Sequence, residues 1–591
     1  MESFETEYYR IKIFNDEGKK HADVEVPFIK GSSSVTDIRG RTVHPDGTVI
    51  NCDGKVLEKL GVKVGGIKVL VKSFALPDVQ PGSIIEYKYK TKFDPLYYHE
   101  TYWLVQDNLF TRKAHFSIRA YTGPYAEGLF WRTFGKWDHR VELAKKGTLS
   151  ELEMENIPGV PEEEFMPPER EIKMGIEFFY RNRALEKTED FWKRVGLPMF
   201  SESEDFIGHR DSIRDAVQQI VNANDSPEAK LRKLYTRAQQ IRNTSFEHER
   251  TEKEVNREKL RNKNSDEVLK HGYGTGQDIN RLFIAFVRAA GFEADEVYGS
   301  ARGDSFFHPE SQDVRELTAR LALVHLGPAE LYLDPGTLYC PFGLLPWQET
   351  AAAGLRLTKQ GGVLVTISSP KSSDAVIERH ADLQLDDSGS LAGKVEILFA
   401  GQRALQHRLA AREEDETGRE KLMKDEIKDL LPGGTKFELA SVTGWEATDE
   451  PLRAQVTVQM PGYALSAGKR LLLPVGIFEW NQPALFQKAT RVENIYFSFP
   501  YQTRDEVTIQ LPKVLRVESL PPSRMIPVGA AQFESAVTEQ AGVLRIHRRF
   551  ELDGFYFPAN AYPAIRAFFS NVKVEDDKQA VLQHSADATG N

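Results

Sequence analysis

Reactive side chains are sparse in this sequence. Of its 591 residues only two are cysteines, Cys52 and Cys340, and Cys340 follows Asp334 by six residues with His308 and His325 close by in sequence. Thiol, imidazole and carboxylate are the parts of a nucleophilic centre, in which the ring takes the thiol proton and the acid orients the ring. The same cysteine can equally be a small packed hydrophobe, and His325, inside the alternating stretch RLALVHLG, can be a structural residue. A second place to look is GYGTGQDINRLFIAFVRAAG, residues 272–291, where Gly272, Gly274 and Gly276 precede an apolar helix. Exposed amides at such a turn could cradle an anion, although no Lys or Ser/Thr occupies the positions of a phosphate loop. The two cysteines fit neither a disulfide framework nor a metal-ligand spacing, so no metal and no cofactor is expected.

These residues must be positioned by the elements around them. The chain is long enough for three or four domains at roughly 150 residues each. Residues 1–190 alternate apolar and polar residues, the period of a half-buried strand. YYRIKIFNDEGKKHADVEVPF reads as two strands joined by a turn at Asn15 to Gly18, and RTVHPDGTVI places Pro45-Asp46-Gly47 between two short strands. A β-sandwich-like N-terminal domain follows, and because the chain enters strand-like sequence at once, its start reads as lying inside that domain. Residues 205–365 change character. Ile213, Val217, Ile220 and Val221 have helical spacing, and Ser226-Pro227 supplies an N-cap and first-turn proline for a helix carrying Leu231, Leu234, Tyr235, Ala238 and Ile241. Beyond Gly276 the helix is apolar almost all round, interrupted by Arg281 and Arg288, so it belongs inside a domain. EADEVYGSA, RLALVHLG and ELYLDPG then read as strands, giving an α+β core. From 370 to 591 strands return, with a charged segment at 403–431 read as one or two solvated helices broken at Gly418 and a short helix near the end.

At the glycine-rich turn the sequence resembles a known group. GYGTGQDINRLFIAFVRAAGFEA, LALVHL, YLDPG and CPFGLLPW, together with the leading HPDGTVI and ALPDVQPGSIIEYKY and the closing YPAIRAFF, resemble bacterial proteins with a transglutaminase-like (papain-like) core. In these a β-rich domain of unknown function precedes the core and another follows it. The resemblance implies a multidomain fold: β-sandwich, transglutaminase-like α+β core, β-rich C-terminal region. In active members a cysteine opens the buried helix, a histidine opens the next strand but one, and an aspartate follows. Here Gly274, Thr275, Gly276, Gln277 and Asp278 span the nucleophile's stretch, and Gly276 stands at the position itself. Ala319 and Arg320 stand where the histidine is expected, and Asp334 matches the third member. Losing nucleophile and base together removes a unit of catalysis, so the resemblance implies a non-catalytic relative in which Asp334 is vestigial. Tyr273, Gly276, Gln277, Asp278 and Arg320 are then candidates to line an inherited cleft, its floor open at Gly276, for a peptide, protein or glycan. The alternative is a cysteine-dependent peptidase, amidase or transglutaminase with its nucleophile relocated to Cys340.

Composition narrows the partners. The net charge of −10, from 77 basic and 87 acidic residues, argues against a nucleic-acid backbone as ligand. No stretch approaches the ~20 apolar residues of a membrane span, and MESFETEYYRIKIF lacks the regions of a signal peptide. The resemblance implies a periplasmic or extracellular protein of the bacterial envelope, and the first residues favour a cytoplasmic one. No motif specifies an oligomeric state.

Overall fold

The computed structural model describes residues 3–64, 67–94, 101–123, 128–181, 186–208, 210–247 and 262–584. The chain forms two compact units, one of Met1–Tyr102 with Glu177–Tyr180 and Ser245–Leu260, the other of Trp103–Ile176, Arg181–Thr244 and Arg261–Asn591. The expected boundary near residue 190 is therefore not where the compact units divide, because residues 103–176 group with the second.

The first unit is a sandwich of two antiparallel sheets. One has the order Ser3–Lys12, Ile84–Phe93, Ser33–Val43, Val49–Asn51, and the other Asp23–Ile29, Ile67–Ala75, Leu57–Val64. Strict alternation in Asp23–Ile29 buries Val24, Val26 and Phe28, which meet Val35 and Ile85 of the facing sheet. The hairpin expected at Pro45-Asp46-Gly47 is present: Ser33–Val43 pairs with Val49–Asn51, and Thr48 N donates to Asp46 Oδ1 at 2.9 Å. The one expected at Asn15–Gly18 is not. There a 3-10 helix, Asp16–Ala22, capped by the Asn15 side chain, carries the chain from one sheet to the other. Ile13 and Val24, on either side of it, both enter the space between the sheets, so the chain changes layers instead of folding back in plane.

The central part of the second unit packs helices on a five-stranded sheet of order Ala329–Leu333, Ala319–Leu326, Glu293–Gly299, Ala353–Thr358, Gly361–Thr366. All its neighbouring strands are antiparallel. The central helix, Gly276–Ala289, buries every residue from Ile279 to Val287. Helices Asp211–Ile220, Pro227–Gln239 and Ser265–His271 surround it, and Ser226 Oγ accepts from Ala229 N at 3.2 Å as the sequence predicts. A 20-residue helix, Thr188–Ile207, also packs on this sheet, so the expected core start at 205 falls inside it. Its approach depends on glycines: a Cβ on Gly196 would lie 2.1 Å from Gly362 N.

The C-terminal part is an eight-stranded sheet of order Lys436–Thr443, Leu452–Met460, Leu391–Gly401, Ala375–Leu385, Tyr501–Gln510, Val543–Leu552, Ala531–Gln540, Arg524–Val528. A four-stranded sheet, which includes the final strand Gln579–His584, shares its core. The charged segment forms two helices, Gln402–Ala410 and Glu416–Leu430. The break precedes Asp415, whose side chain caps the second helix by accepting from Gly418 N at 2.8 Å, so Gly418 lies within that helix. Neither helix is wholly solvated, since Leu405, Arg408, Met423 and Ile427 are buried. The helix near the end is not short: Tyr562–Asp576 has 15 residues.

Candidate functional site

The start of the central helix is built by a reciprocal cap. Thr275 Oγ1 accepts from Asp278 N at 3.2 Å, and Asp278 Oδ2 accepts from Thr275 N at 3.0 Å. Both side chains are thereby committed to satisfying helix-end donors. Gly276 follows, and its surroundings decide what the position can hold. A Cβ there would sit 2.8 Å from Gly336 O, and a Cβ on Gly336 would sit 2.2 Å from Gly276 O. Two backbones meet where a reactive side chain would have to stand. The opening expected at Gly276 is thus closed by the turn that carries Asp334.

Asn280, one turn further along the helix, ties this corner together. Its Nδ2 donates to Asp334 Oδ1 at 2.8 Å and to Arg320 O at 2.6 Å, and its Oδ1 accepts from Gly336 N at 2.8 Å. Asp334 also accepts from Thr337 N at 3.1 Å and is 3% exposed. Burial pushes its carboxyl above the usual carboxylate range, and the hydrogen bonds from Thr337 and Asn280 oppose that rise. The acid is held by an amide and by backbone, where the family pattern would have it face an imidazole.

Arg320 and Gln277 meet a different group of side chains. The Arg320 guanidinium lies 3.6 Å from the Tyr298 ring centroid and donates through Nη1 to Leu317 O and Ala319 O at 2.7 and 2.8 Å. Its Nε has no hydrogen-bond partner among the described residues. Gln277 Nε2 lies 3.4 Å from Tyr298 Oη and 3.5 Å from Glu296 Oε1. Glu296 is fully enclosed and takes both oxygens to within 3.0 Å of Arg281 Nε, while Arg281 Nη2 reaches Tyr298 Oη at 3.2 Å. Burial, and then the charge of Glu296, push the Tyr298 phenol above its ordinary range. Tyr273 instead stacks on His271, ring centroids 5.6 Å apart, and its carbonyl accepts from Asn262 Nδ2 at 2.8 Å.

Cys340 is fully buried against Leu344 and Leu405, and its thiol donates to Leu344 O at 3.2 Å. Burial, followed by the nearby charges of Asp334 and Glu349, pushes the thiol well up, the opposite of an activated nucleophile. His308 pairs with Glu171 at 3.2 Å, and His325 lies 3.2 Å from Arg356 Nη2. The histidines near Cys340 in sequence thus have their partners elsewhere. Sequence reasoning passed over Asn280, Glu296, Tyr298 and Gly336. The available signal was polarity inside an otherwise apolar helix, since a buried amide or guanidinium must find a partner across the packing interface.

Comparison with known proteins agrees with a multidomain, β-rich architecture. Residues 3–160 match the family model "Domain of Unknown Function with solved-structure structure (DUF3857)", and residues 469–582 match the corresponding model for DUF3858. No curated protein matches the sequence. A crystal structure from Parabacteroides distasonis, described as a "putative protease", superposes with a TM-score of 0.52 at 13% identity, covering 98% of this chain and 96% of that one. At that identity the likeness is one of fold. The chain is therefore similar at its two ends to two domain families of unknown function, and along nearly its whole length to a solved multidomain fold.

Proposed function

We propose that this chain is a non-catalytic protein with a transglutaminase-like core, acting as a binding or scaffold module of the bacterial envelope. One observation carries the reading: the position that would hold the nucleophile is a glycine whose Cβ would lie 2.8 Å from the Gly336 carbonyl. The absence of an imidazole at Ala319 and Arg320, and the commitment of Asp334 to Asn280, point the same way. The scaffold role draws support from Arg302, a buried cation that joins the core to the C-terminal region. It donates to Tyr496 Oη at 2.6 Å, to Ser498 O at 2.8 Å and to Thr350 O at 2.7 Å, and stacks on Phe555 at 4.3 Å. Any ligand of the core would be a peptide, protein or glycan met by Gln277 and Arg320. The test combines a thiol-directed activity probe with peptide hydrolysis and amine-transfer assays on the full chain. Neither labelling of Cys340 nor turnover is expected. Turnover that disappears in a Cys340→Ser variant of unchanged fold would replace this reading with a relocated cysteine hydrolase.

A further inference from the structure

Between the strand Leu149–Ile157 and the helical turn Glu169–Ile172 runs an irregular segment, residues 158–168, of sequence PGVPEEEFMPP. Four prolines remove backbone donors from it, and it turns at Glu164-Phe165, where Glu163 N donates to Met166 Sδ at 3.1 Å. Its first residues are held by residues 106–108, with Val160 N donating to Asp107 O at 2.9 Å, and its acidic stretch meets the loop 486–497 of the C-terminal region. The Glu163 carboxylate accepts from Val492 N and Glu493 N, both at 3.0 Å, and lies 3.5 Å from Arg491 Nε, with both side chains almost fully enclosed. Consecutive amides with a guanidinium beside them form a site for a single carboxylate. Glu164 Oε2 accepts from Phe486 N at 2.6 Å.

The Phe165 ring then packs on Phe497 and Phe486, with centroids 4.5 and 5.6 Å away. Its carbonyl accepts from Tyr496 N at 2.7 Å and Arg491 Nη2 at 3.0 Å, as a strand edge would receive a peptide. Phe165 has φ +53°, a left-handed conformation that a bulky residue does not adopt unaided. Phe165 as a whole remains 38% exposed. Residues 163–165 therefore lie at the surface in a turn that the acceptor holds together with the Glu163 N–Met166 Sδ bond, as a docked linear peptide would lie.

We propose that the 486–497 loop is a recognition groove for Glu-Glu-Phe peptides that turn at the aromatic residue, occupied here in cis by residues 163–165. A partner presenting the same acidic-aromatic motif would compete for it. The inference goes beyond the scaffold reading and does not rest on it, since a catalytic core would leave the groove unchanged.

The test uses the full chain carrying Glu163→Gln and Phe165→Ala, titrated with a fluorescein-labelled peptide of residues 160–167. Saturable binding is expected, weakened roughly tenfold or more when Arg491→Ala is added, because a buried charged hydrogen-bond partner is lost. Absence of saturable binding to the folded variant, or binding indifferent to Arg491→Ala, would overturn the proposal. Should the double variant not fold, hydrogen exchange on the wild-type chain decides. The amides of Val492, Glu493 and Tyr496 are expected to exchange through an opening separate from that of strand Tyr501–Gln510. Exchange of all of them only through global unfolding would mean a permanent part of the fold and would equally overturn it.

Discussion

The corner around Asp334 and the charged core of the C-terminal region solve the same problem in opposite ways. Both bury carboxylates, and an ion taken out of water without compensation is costly. In the C-terminal region compensation is ionic. Arg379 meets Asp505 through two bonds of 2.6 and 2.9 Å and reaches Glu479 at 2.6 Å, while Arg548 grips Asp576 at 2.7 and 2.9 Å. Burial alone would raise Glu479, but Arg379 and Arg548 hold it down at about 2. At Asp334 no guanidinium among the described residues is bonded to the acid, and amide and backbone donors leave it raised. One region sets a cation beside its buried acids: Arg379 ties strand to strand through Asp505, and Arg548 ties a strand to the helix ending at Asp576, although burial still holds the Asp576 carboxyl above its usual range. The other holds a buried acid by uncharged donors, as the proposed non-catalytic reading expects.

Substitutions that break this contrast differ in size. The largest effect is expected for Arg379→Ala, which strands Asp505 and Glu479 without their cation and costs about 3–5 kcal/mol. It is read from the C-terminal transition in urea, since a multidomain chain does not unfold in one step. An unchanged midpoint would mean that the ion pairs do not hold that region. Next comes Asn280→Ala, which removes two donors and an acceptor from the Asp334 corner and is expected to lower core stability by roughly 2 kcal/mol. Gly276→Cys follows at about 1–3 kcal/mol, the cost of forcing atoms into a filled contact, with no gain of hydrolysis or amine transfer. A Gly276→Cys protein as stable as wild type and labelled at the new thiol would show that the corner can open, and the distinction between the two regions would narrow.

How far these regions were legible in the sequence follows from the range of each interaction. The cap at Ser226, the hairpin at Pro45-Asp46-Gly47 and the buried helix beyond Gly276 depend on neighbours a few residues away, and all appear where the pattern places them. The strand Ser3–Lys12 is equally clear as a strand, but its partner is Ile84–Phe93 and not Asp23–Ile29, because alternation states which face is buried and not which sheet receives it. At the candidate site Gly276 and Ala319, which the proposed reading sets where a thiol and an imidazole would stand, were visible in the sequence. The closure was not, because it requires Gly336, 60 positions onward, to meet Gly276 backbone to backbone. Glycine in YLDPG reads as an ordinary turn residue. Asn280 was hidden for a related reason: its three partners lie on one strand and on the turn after another, which only the fold brings to one side of the helix.

The smallest effect is the most diagnostic, because its sign differs between Asp334 and Glu479. Asp334 has a folded pKa above its unfolded value near 3.8. Between those values the folded chain keeps a proton that the unfolded chain has released, so stability falls as pH rises through that window. Glu479, depressed from 4.5 to about 2, behaves oppositely: its contribution is complete above 4.5 and is lost as pH falls toward 2. Asp334→Asn keeps an oxygen able to accept from Asn280 Nδ2 and Thr337 N but cannot ionise. Its stability relative to wild type should therefore rise with pH through the Asp334 window and then level off. Core melting temperatures of the two proteins, compared from pH 3 to 8, measure it. A difference that shrinks as pH rises would mean that Asp334 is stabilised as a carboxylate after all, as Glu479 is, and the proposed contrast between a retired catalytic corner and a structural charge network would fail.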